Sequence, residues 1–481
     1  MTLPEALKSI PYGQANFHCI RSEHYGYADK TRFIHRIEQT GQRAVRIVRP
    51  RRFGKTLFAL TLRSFYDRAL ADAFAHDFSG TDIAKFSPSS AGSFVVMNLD
   101  FSGISLDSFA TGFMNKVKDG LSSLCRRYAF KEGWALLKAD YASAEELLDV
   151  FLTALQEKFR DKIYLVIDEY DQAVNVLFVG DTDFSLRKRV SVILRNFYAW
   201  LDTELTSGHC IAQAFITGVT RMKEAEIASV TDLTEDADFA DMYGLTEKEL
   251  RIFIPQVMDP STAGTTTDAL VEHIMTLYGG WRFTAGMQIP VCNPSMCLFY
   301  LDALKRRGRE PESLQDPAFA ADLSKIETLL SLTDAEFADA VLGEVLCSRN
   351  PGIGFAGLKF LEIGGSGALS LEEVLSLLVY FGLLTRSGLN AAMLMAPNPV
   401  GRLQFFEHYL RNVLHADNPY WNSRAYGPAT LAYVAGESTP LKYLSDCLFW
   451  VSEGGKHRRL SERELEWFIQ GAASLAPLIQ A

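Results

Sequence analysis

The residues whose types and spacing best suit ligand binding are 49–56, Arg-Pro-Arg-Arg-Phe-Gly-Lys-Thr. They lie between an apolar run and a segment with a helical pattern. A glycine, a lysine and a hydroxyl at a strand-to-helix turn are typical of a loop that binds phosphate. Backbone N–H groups at a helix N-terminus attract anions, and Gly54 would let the backbone approach a phosphate closely. Lys55 would then reach the β- and γ-phosphates, and Thr56 would place its hydroxyl on Mg²⁺.

The loop departs from the usual pattern at one position, because Arg49 stands where a first glycine is expected. Pro50 could pre-set the turn instead, since its ring fixes φ. Gly-Lys-Thr also occurs at ordinary capped surface helices, so the loop alone does not establish nucleotide binding. The predicted contacts with a nucleotide are Arg52, Phe53, Gly54, Lys55, Thr56 and Leu57.

Two adjacent acids, Asp168 and Glu169, follow the apolar run 163–167. A buried parallel strand that ends in two carboxylates is costly unless something at the edge of the sheet uses them. A magnesium ion on a polyphosphate would do so. Asp168 would hold the water shell of the ion, and Glu169 would orient and polarise the attacking water.

A third apolar run, 212–217, also ends in polar residues. Thr217 could contact the attacking water or the γ-phosphate, and Arg221 could bind that phosphate. A strand end with a capping threonine and a surface arginine is an equally good interpretation. Three strand ends with complementary chemistry nevertheless favour nucleotide binding. The predicted catalytic residues are Glu169, Lys55, Thr217 and Arg221, and the predicted metal ligands are Thr56 and Asp168.

These residues need a sheet that brings several strand ends to one edge. Short β-like runs alternate with long amphipathic stretches from residue 41 to about 245, which predicts a doubly wound parallel α/β sheet. The predicted strands are 44–48, 94–99, 163–167 and 211–217. The predicted helices between and after them are 56–71, 107–130, 144–159 and 186–205.

Beyond residue 245 we expect no strands until about 369, and a helical subdomain with helices at 247–254, 267–277, 295–306 and 334–346. A helix at 371–381, short β-like runs at 383–385 and 392–395, and a helix from 399 to about 414 then suggest a winged-helix-like module. The predicted organisation is an entry segment (1–40), an α/β core (41–245), a helical lid (246–365), the winged-helix-like module (366–415) and a helical tail (416–481).

Composition limits the classes of protein that fit. The chain has 481 residues, 48% of them hydrophobic, and a formal charge of −10, so no global basic field attracts nucleic acid. The helix 371–381 would face a DNA groove in a winged helix, yet it carries Glu372 and Glu373 and no basic residue. The longest apolar stretch, 374–384, is too short for a membrane span of about 18 residues. Seven scattered cysteines and an amino terminus without a signal-like apolar region favour a soluble, cytoplasmic protein.

The chain resembles the predicted bacterial AAA-ATPase-like proteins, which are often fused to a C-terminal PD-(D/E)XK nuclease-like domain. In that family an arginine is the expected residue at the position of Arg49. The resemblance covers most of residues 11–410. It is carried by residues 27–31, 49–56, 167–171, 215–221, 279–283, 293–294 and 372–385.

The resemblance implies a P-loop NTPase core of the additional-strand type. In that arrangement the strand 211–217, which ends in polar residues (the polar strand), lies between the strand that leads into the phosphate loop and the strand 163–167, which ends in the two acids (the acidic strand). It also makes Tyr27 and residues 29–31 candidates for base or ribose contact, although Tyr27 fits equally well as a packing aromatic. Asn293 and Pro294 would lie in the lid near the nucleotide, or form a simple turn. An arginine finger could come from Arg189 or Arg195.

The carboxyl end departs from the family pattern. A nuclease of that type needs a strand that carries Glu-x-Lys, and residues 453–456, Glu-Gly-Gly-Lys, do not fit one. We therefore expect the nuclease to be absent or truncated. The basic run 456–459 is most simply a solvated face.

Two functions remain. The first is a Mg²⁺-dependent ATPase that acts as a conformational switch or motor on a protein partner bound through the helical C-terminal half. The second is a nucleotide-responsive scaffold with negligible turnover. Self-association is left open, and the sequence does not support a nucleic-acid or membrane partner.

Overall fold

A computed structural model describes residues 7–86, 89–160, 162–177, 184–311, 313–316, 324–331, 333, 335–346, 352–365, 369–413, 423–439, 442 and 461–475. The chain divides into two compact units. The first comprises residues 1–244, 255–258 and 359–368, and the second comprises 245–254, 259–358 and 369–481. The predicted domain boundaries remain predictions.

The first unit is built on a five-stranded parallel sheet. The strands are β1 (Ala44–Val48), β2 (Val95–Asp100), β3 (Ile163–Asp168), β4 (Ile211–Gly218) and β5 (Val230–Asp232). All four predicted strands are therefore found within one residue of their predicted ends. The fifth strand, β5, was not predicted, because it has only three residues and two of them are Thr and Asp.

The order of the strands is β2-β3-β4-β1-β5. The polar strand β4 thus lies between the strand that leads into the loop and the strand that ends in the acids, which confirms the additional-strand arrangement. Neighbouring strands are parallel, with Val48 opposite Gly218 and Asp100 opposite Asp168. Their carboxyl ends therefore meet at one edge of the sheet, as the predicted site requires.

Nine α-helices lie wholly within the described part of the first unit, among them the long crossovers that parallel strands need. They are α1 (Phe17–Ser22), α2 (Arg32–Gln39), α3 (Lys55–Tyr66), α4 (Phe74–Asp77), α5 (Phe109–Arg127), α6 (Lys131–Leu136), α7 (Ala144–Phe159), α8 (Gln172–Leu177) and α9 (Phe184–Ser207).

Helix α3 is shorter than the predicted helix 56–71. It ends at Tyr66 because Asp67 is extended (φ −73°, ψ 114°). The Asp67 side chain accepts a hydrogen bond from the Ala69 N–H and so begins a separate 3₁₀ helix, Arg68–Ala73. An aspartate that caps a new helix ends the previous one.

The second unit is mainly helical. Its described helices, of which the first runs into residues of the first unit, are Glu247–Val257, Thr267–Tyr278, Pro294–Arg307, Ser324–Ser331, Ala335–Leu346, Leu371–Tyr380, Pro399–His408, Ser423–Val434 and Glu462–Ala473. A π-helical turn, Tyr409–Val413, follows Pro399–His408.

A small antiparallel sheet joins β6 (Ile353–Gly354), β7 (Thr385–Arg386) and β8 (Met393–Met395) in the order β6-β8-β7. The expectation of no strand between residues 245 and 369 is therefore wrong at β6. This strand escaped notice because it has two residues, one of them glycine, and it exists only by pairing with distant β8. Helix Leu371–Tyr380, the β7–β8 hairpin and helix Pro399–His408 follow one another as predicted, and the winged-helix assignment remains a prediction.

Two segments named above lie outside the described residues. They are residues 453–456 and the basic run 456–459. The helical pattern of the tail is found at Glu462–Ala473. Within the described residues, no helix is both long and apolar enough to cross a membrane.

Candidate functional site

The phosphate-loop candidate is anchored by Arg49. Its buried guanidinium donates hydrogen bonds to the carbonyls of Val48 (2.8 Å), Thr234 (2.8 Å) and Phe239 (3.0 Å). The Arg49 backbone N–H donates to the carbonyl of Gly218 (3.1 Å). Burial lowers the pKa of Arg49 to about 10, so the group stays cationic at neutral pH. The arginine in the place of the first glycine is thus an internal brace of the loop.

The loop backbone adopts left-handed conformations at Arg52 (φ 66°) and at Gly54 (φ 96°). Gly54 is the N-cap of α3 and leaves the first N–H groups of the helix without a side-chain cap. The Phe53 side chain is buried, and its carbonyl accepts a hydrogen bond from the Gly244 N–H (3.3 Å). Amides at the start of a helix that lack a protein acceptor are the groups that bind a phosphate.

The first two residues of α3 lie at the edge of the sheet where the acids end. The Lys55 side chain is buried, and its Nζ donates to the Pro50 carbonyl (3.0 Å), so the amine lies over the loop. The Thr56 hydroxyl donates to Asp168 Oδ2 (2.7 Å), although the two residues are 112 positions apart. The loop and the acidic strand therefore converge, as the sequence predicts.

Burial raises the pKa of both acids at the end of β3. For Asp168 the hydrogen bond from Thr56 and the charge of Lys55 act in the opposite direction. For Glu169 the charge of Lys55 lowers the pKa, whereas the carboxylates of Asp171 and Asp168 raise it further. The lysine amine is therefore close enough to act electrostatically on both acids.

Glu169 has an unusual backbone conformation, with φ of 51°. Its N–H donates to Asp168 Oδ1 (2.9 Å). A left-handed conformation in a residue other than glycine costs of order 1 kcal/mol or more and is found often at functional sites. The turn directs Glu169 away from the line of the strand.

Asp171 is a residue of the site that sequence reasoning missed as a positioning group. Its carboxylate accepts hydrogen bonds from the Val219 N–H (3.0 Å) and from the N–H and hydroxyl of Thr220 (both 2.5 Å). A Cβ on Gly218 would lie 2.1 Å from Asp171 Oδ1, so only glycine fits there. Asp171 therefore ties the end of β3 to the turn after β4. The sequence feature that could have indicated this close approach is the glycine directly after Thr217, Gly218.

Asp100 is a second carboxylate that sequence reasoning missed. It ends β2 directly opposite Asp168, and its charge raises the pKa of Asp168. Asp100 is exposed, whereas Asp168 is buried. The sequence pattern could have indicated Asp100, since Asp100 and Asp168 each stand at the end of a mainly apolar strand.

Thr217 and Arg221 are held by contacts within the protein. The buried Thr217 hydroxyl donates to the carbonyl of Ile47 on β1 (2.8 Å). Arg221 Nη1 donates to Glu235 (3.0 Å) and its Nη2 to Asp232 on β5 (3.2 Å). The structure thus brings Thr217 to the edge of the sheet and pairs Arg221 with two acids. Their catalytic roles remain predictions.

Other candidate contacts serve the fold. The Tyr27 ring packs edge-on against Phe17, with centroids 5.4 Å apart, which favours its interpretation as a packing aromatic. The Asp29 carboxylate accepts from the N–H groups of Thr31 (2.8 Å) and Asp82 (2.6 Å). In the second unit, the Asn293 side chain caps helix Pro294–Arg307.

The charge of Asp168 gives a prediction about stability. A raised folded-state pKa means that the ionised carboxylate is less favourable in the folded protein than in the unfolded one. Its destabilising effect is absent below the unfolded-state pKa of about 3.9, grows as the pH rises from there to the folded-state pKa, and is constant above it. We expect Asp168→Asn to raise the melting temperature of the nucleotide-free protein at pH 7, by about 2–4 °C for each kcal/mol. Differential scanning calorimetry measures this.

The same variant should lose the stabilisation that ATP and Mg²⁺ together give the wild-type protein. Asp119→Asn, at an exposed position on α5, is the matched control and should leave both quantities unchanged. A lower melting temperature for Asp168→Asn at pH 7 would contradict the electrostatic argument.

The strand order and the loop after β1 define the first unit as a P-loop NTPase core of the additional-strand type. The model of the AAA-ATPase-like family, described as a predicted AAA-ATPase, matches residues 11–228 and confirms the family resemblance over that stretch.

Among solved structures, the chain is similar to a Walker-type ATPase of Pyrococcus abyssi, with 10% identity over 80% of this chain and 97% of that one and a TM-score of 0.43. It is also similar to the ORC2 protein of Aeropyrum pernix in ADPNP and ADP complexes, with 12% identity over 77% of this chain and 91% of that one and a TM-score of 0.37. No curated protein matches the chain.

Proposed function

We propose that the first unit binds ATP with Mg²⁺ and hydrolyses it, and that the cycle drives a conformational change. The observation that carries this proposal is the hydrogen bond of 2.7 Å between Thr56 and Asp168. In P-loop NTPases the hydroxyl after the loop lysine and the aspartate at the end of the acidic strand hold one magnesium ion. Here the two side chains are already in contact.

The donor set fits magnesium. Thr56 offers a hydroxyl and Asp168 a carboxylate, and Asp100 adds a second carboxylate on the neighbouring strand. Mg²⁺ binds oxygen ligands, keeps several waters and uses one or two carboxylates. When bound, the ion would neutralise charge on the phosphates. Lys55 would exchange the Pro50 carbonyl for a phosphate oxygen, and the loop amides would bind the remaining oxygens.

Glu169 is the proposed general base. A base is most effective when its pKa lies near the working pH, and burial raises the pKa of Glu169 toward that range. The adjacent Asp168 carboxylate acts in the same direction. Glu169 would accept a proton from the attacking water while the loop holds the γ-phosphate in line.

The proposal extends to location and partners. The first unit would work in the cytoplasm, as the scattered cysteines suggest, and the helical second unit would bind a protein partner. Self-association would let a neighbouring subunit supply an arginine finger. In the described structure Arg195 forms an ion pair with Glu362 (2.9 Å), which leaves the exposed Arg189 as the better donor candidate.

A single-turnover measurement tests the proposal. Excess protein is mixed with radiolabelled ATP, with either Mg²⁺ or EDTA. We expect phosphate release with Mg²⁺ and none with EDTA. Tight binding without any phosphate release would instead support the nucleotide-responsive scaffold. Absence of binding would contradict both functions.

A further inference from the structure

A segment from late in the chain lies on the core beside the turn that follows β4. Residues 360–364, called the strap here, belong to the first unit, whereas the stretches before and after residues 359–368 belong to the second. The chain therefore passes from the second unit into the first just before the strap, and returns to the second unit after it.

The strap is hydrogen-bonded to the backbone of the turn as a short additional strand would be. The Leu361 N–H donates to the Arg221 carbonyl (2.9 Å), and the Lys223 N–H donates to the Leu361 carbonyl (2.9 Å). Leu361 and Ile363 are fully buried. These bonds fix the strap to the turn that follows β4, at Arg221 and Lys223.

Glu224 is the main side-chain anchor of the strap. It is buried, and its Oε1 accepts from the N–H groups of Ile363 (3.1 Å) and Gly364 (3.3 Å) and from the Ser191 hydroxyl on α9 (2.7 Å). A Cβ on Gly364 would lie 2.8 Å from the Ser191 hydroxyl, so the strap passes close to α9. One carboxylate thus joins the turn, the strap and α9.

Charged groups add to this anchor. The Phe360 ring lies 5.2 Å from the Arg46 guanidinium carbon and 5.4 Å from that of Arg221, both within cation–π range. Both arginines are bound to Asp232 on β5. The ring therefore rests on the cluster that joins β1, β5 and the turn after β4.

We propose that the strap is the element that transmits the nucleotide state of the core to the second unit, an inference that rests on the proposed function. Asp171 links the acidic strand to the turn at Val219 and Thr220, and the turn is bonded to the strap at Arg221 and Lys223. A shift at the γ-phosphate would therefore reach the strap through backbone contacts. Helix Leu371–Tyr380 follows the strap and would respond first in the second unit.

Hydrogen exchange of the full chain, with and without ADPNP and Mg²⁺, tests the inference. We expect slower exchange, by about tenfold, in peptides that cover residues 49–57 and also in those that cover 359–365. Protection at 49–57 with unchanged exchange at 359–365 and 371–380 would overturn the strap inference alone. Absence of protection at 49–57 would overturn the proposed function, and the strap inference with it.

A pair of variants separates transmission from binding. In Glu224→Ala we expect residues 49–57 to remain protected by ADPNP and Mg²⁺, while the response at 359–365 is lost. Glu226→Ala, an exposed acid two positions away, is the matched control and should respond as the wild-type protein does. An undiminished strap response in a folded Glu224→Ala protein would contradict the role of this carboxylate. The wild-type experiment decides the inference if that variant does not fold.

Discussion

Replacing Lys55 by alanine is expected to weaken ATP binding by about 100-fold or more. A hydrogen bond to a charged group contributes about 1.5–3 kcal/mol, and 2.7 kcal/mol corresponds to a factor of 100 in affinity. The amine lies over the loop and lowers the pKa of both acids, which places its charge between the loop and the end of β3. Isothermal titration calorimetry with ATP and Mg²⁺ measures the loss.

The matched control is Lys162→Ala. Lys162 is exposed and precedes β3, at the opposite edge of the sheet from the loop, so its removal should leave the affinity unchanged. Loss of Lys55 also leaves the Pro50 carbonyl without its donor. Circular dichroism of both variants therefore accompanies the titration. Unchanged ATP affinity in Lys55→Ala would contradict the assignment of this loop to the nucleotide site.

The second large effect is expected for Glu169→Gln, which should bind ATP as tightly as the wild-type protein but hydrolyse it about 10²–10⁴-fold more slowly. Glutamine keeps the shape of the side chain and cannot accept a proton, and general base catalysis contributes a factor of this size. Binding should not suffer, because removal of a half-buried negative charge near the phosphates reduces repulsion. Single-turnover phosphate release, with ATP affinity measured separately, gives both quantities.

The pH dependence provides an independent check on Glu169. The carboxylate must be ionised to accept a proton, so the wild-type rate should fall as the pH drops through its pKa. Because that pKa is raised, the fall should begin at a higher pH than for an ordinary glutamate, whose pKa is about 4.3. The residual activity of Glu169→Gln should lack this fall. Glu157→Gln, an exposed glutamate on α7, is the control that should retain it.

Wild-type rates in Glu169→Gln would exclude the glutamate as the base. The nucleotide site would then remain, since it depends on the loop, Thr56 and Asp168, and another group would have to activate water. Loss of ATP affinity in this variant would instead show that Glu169 contributes to binding or to the shape of the turn.

The sheet and the main site could be predicted because their signals are local. Strand β1 has the predicted bounds 44–48, and β3 ends one residue later than its predicted run, at Asp168. The loop, the acids and the polar strand end each stand at such a boundary. The parallel arrangement of the strands then brings them together without further information.

The remaining features depend on distant contacts that no local pattern encodes. Strand β5 has three residues and is defined by its pairing with β1. The partner of Arg221, Asp232, lies on that strand, so the ion pair could not be foreseen once β5 was missed. The partners of Arg49 are up to 190 positions away. The strap likewise pairs with a turn about 140 positions earlier.

The brace formed by Arg49 has a consequence for the speed of ligand capture. Its guanidinium fixes the loop to carbonyls at Thr234 and Phe239 before any nucleotide arrives. A preorganised loop loses little conformational entropy when a ligand binds. The affinity for the nucleotide is therefore not reduced by a cost of ordering the loop. The association rate constant should then be governed by diffusion and by the attraction between loop cations and the triphosphate, and it should fall as ionic strength rises.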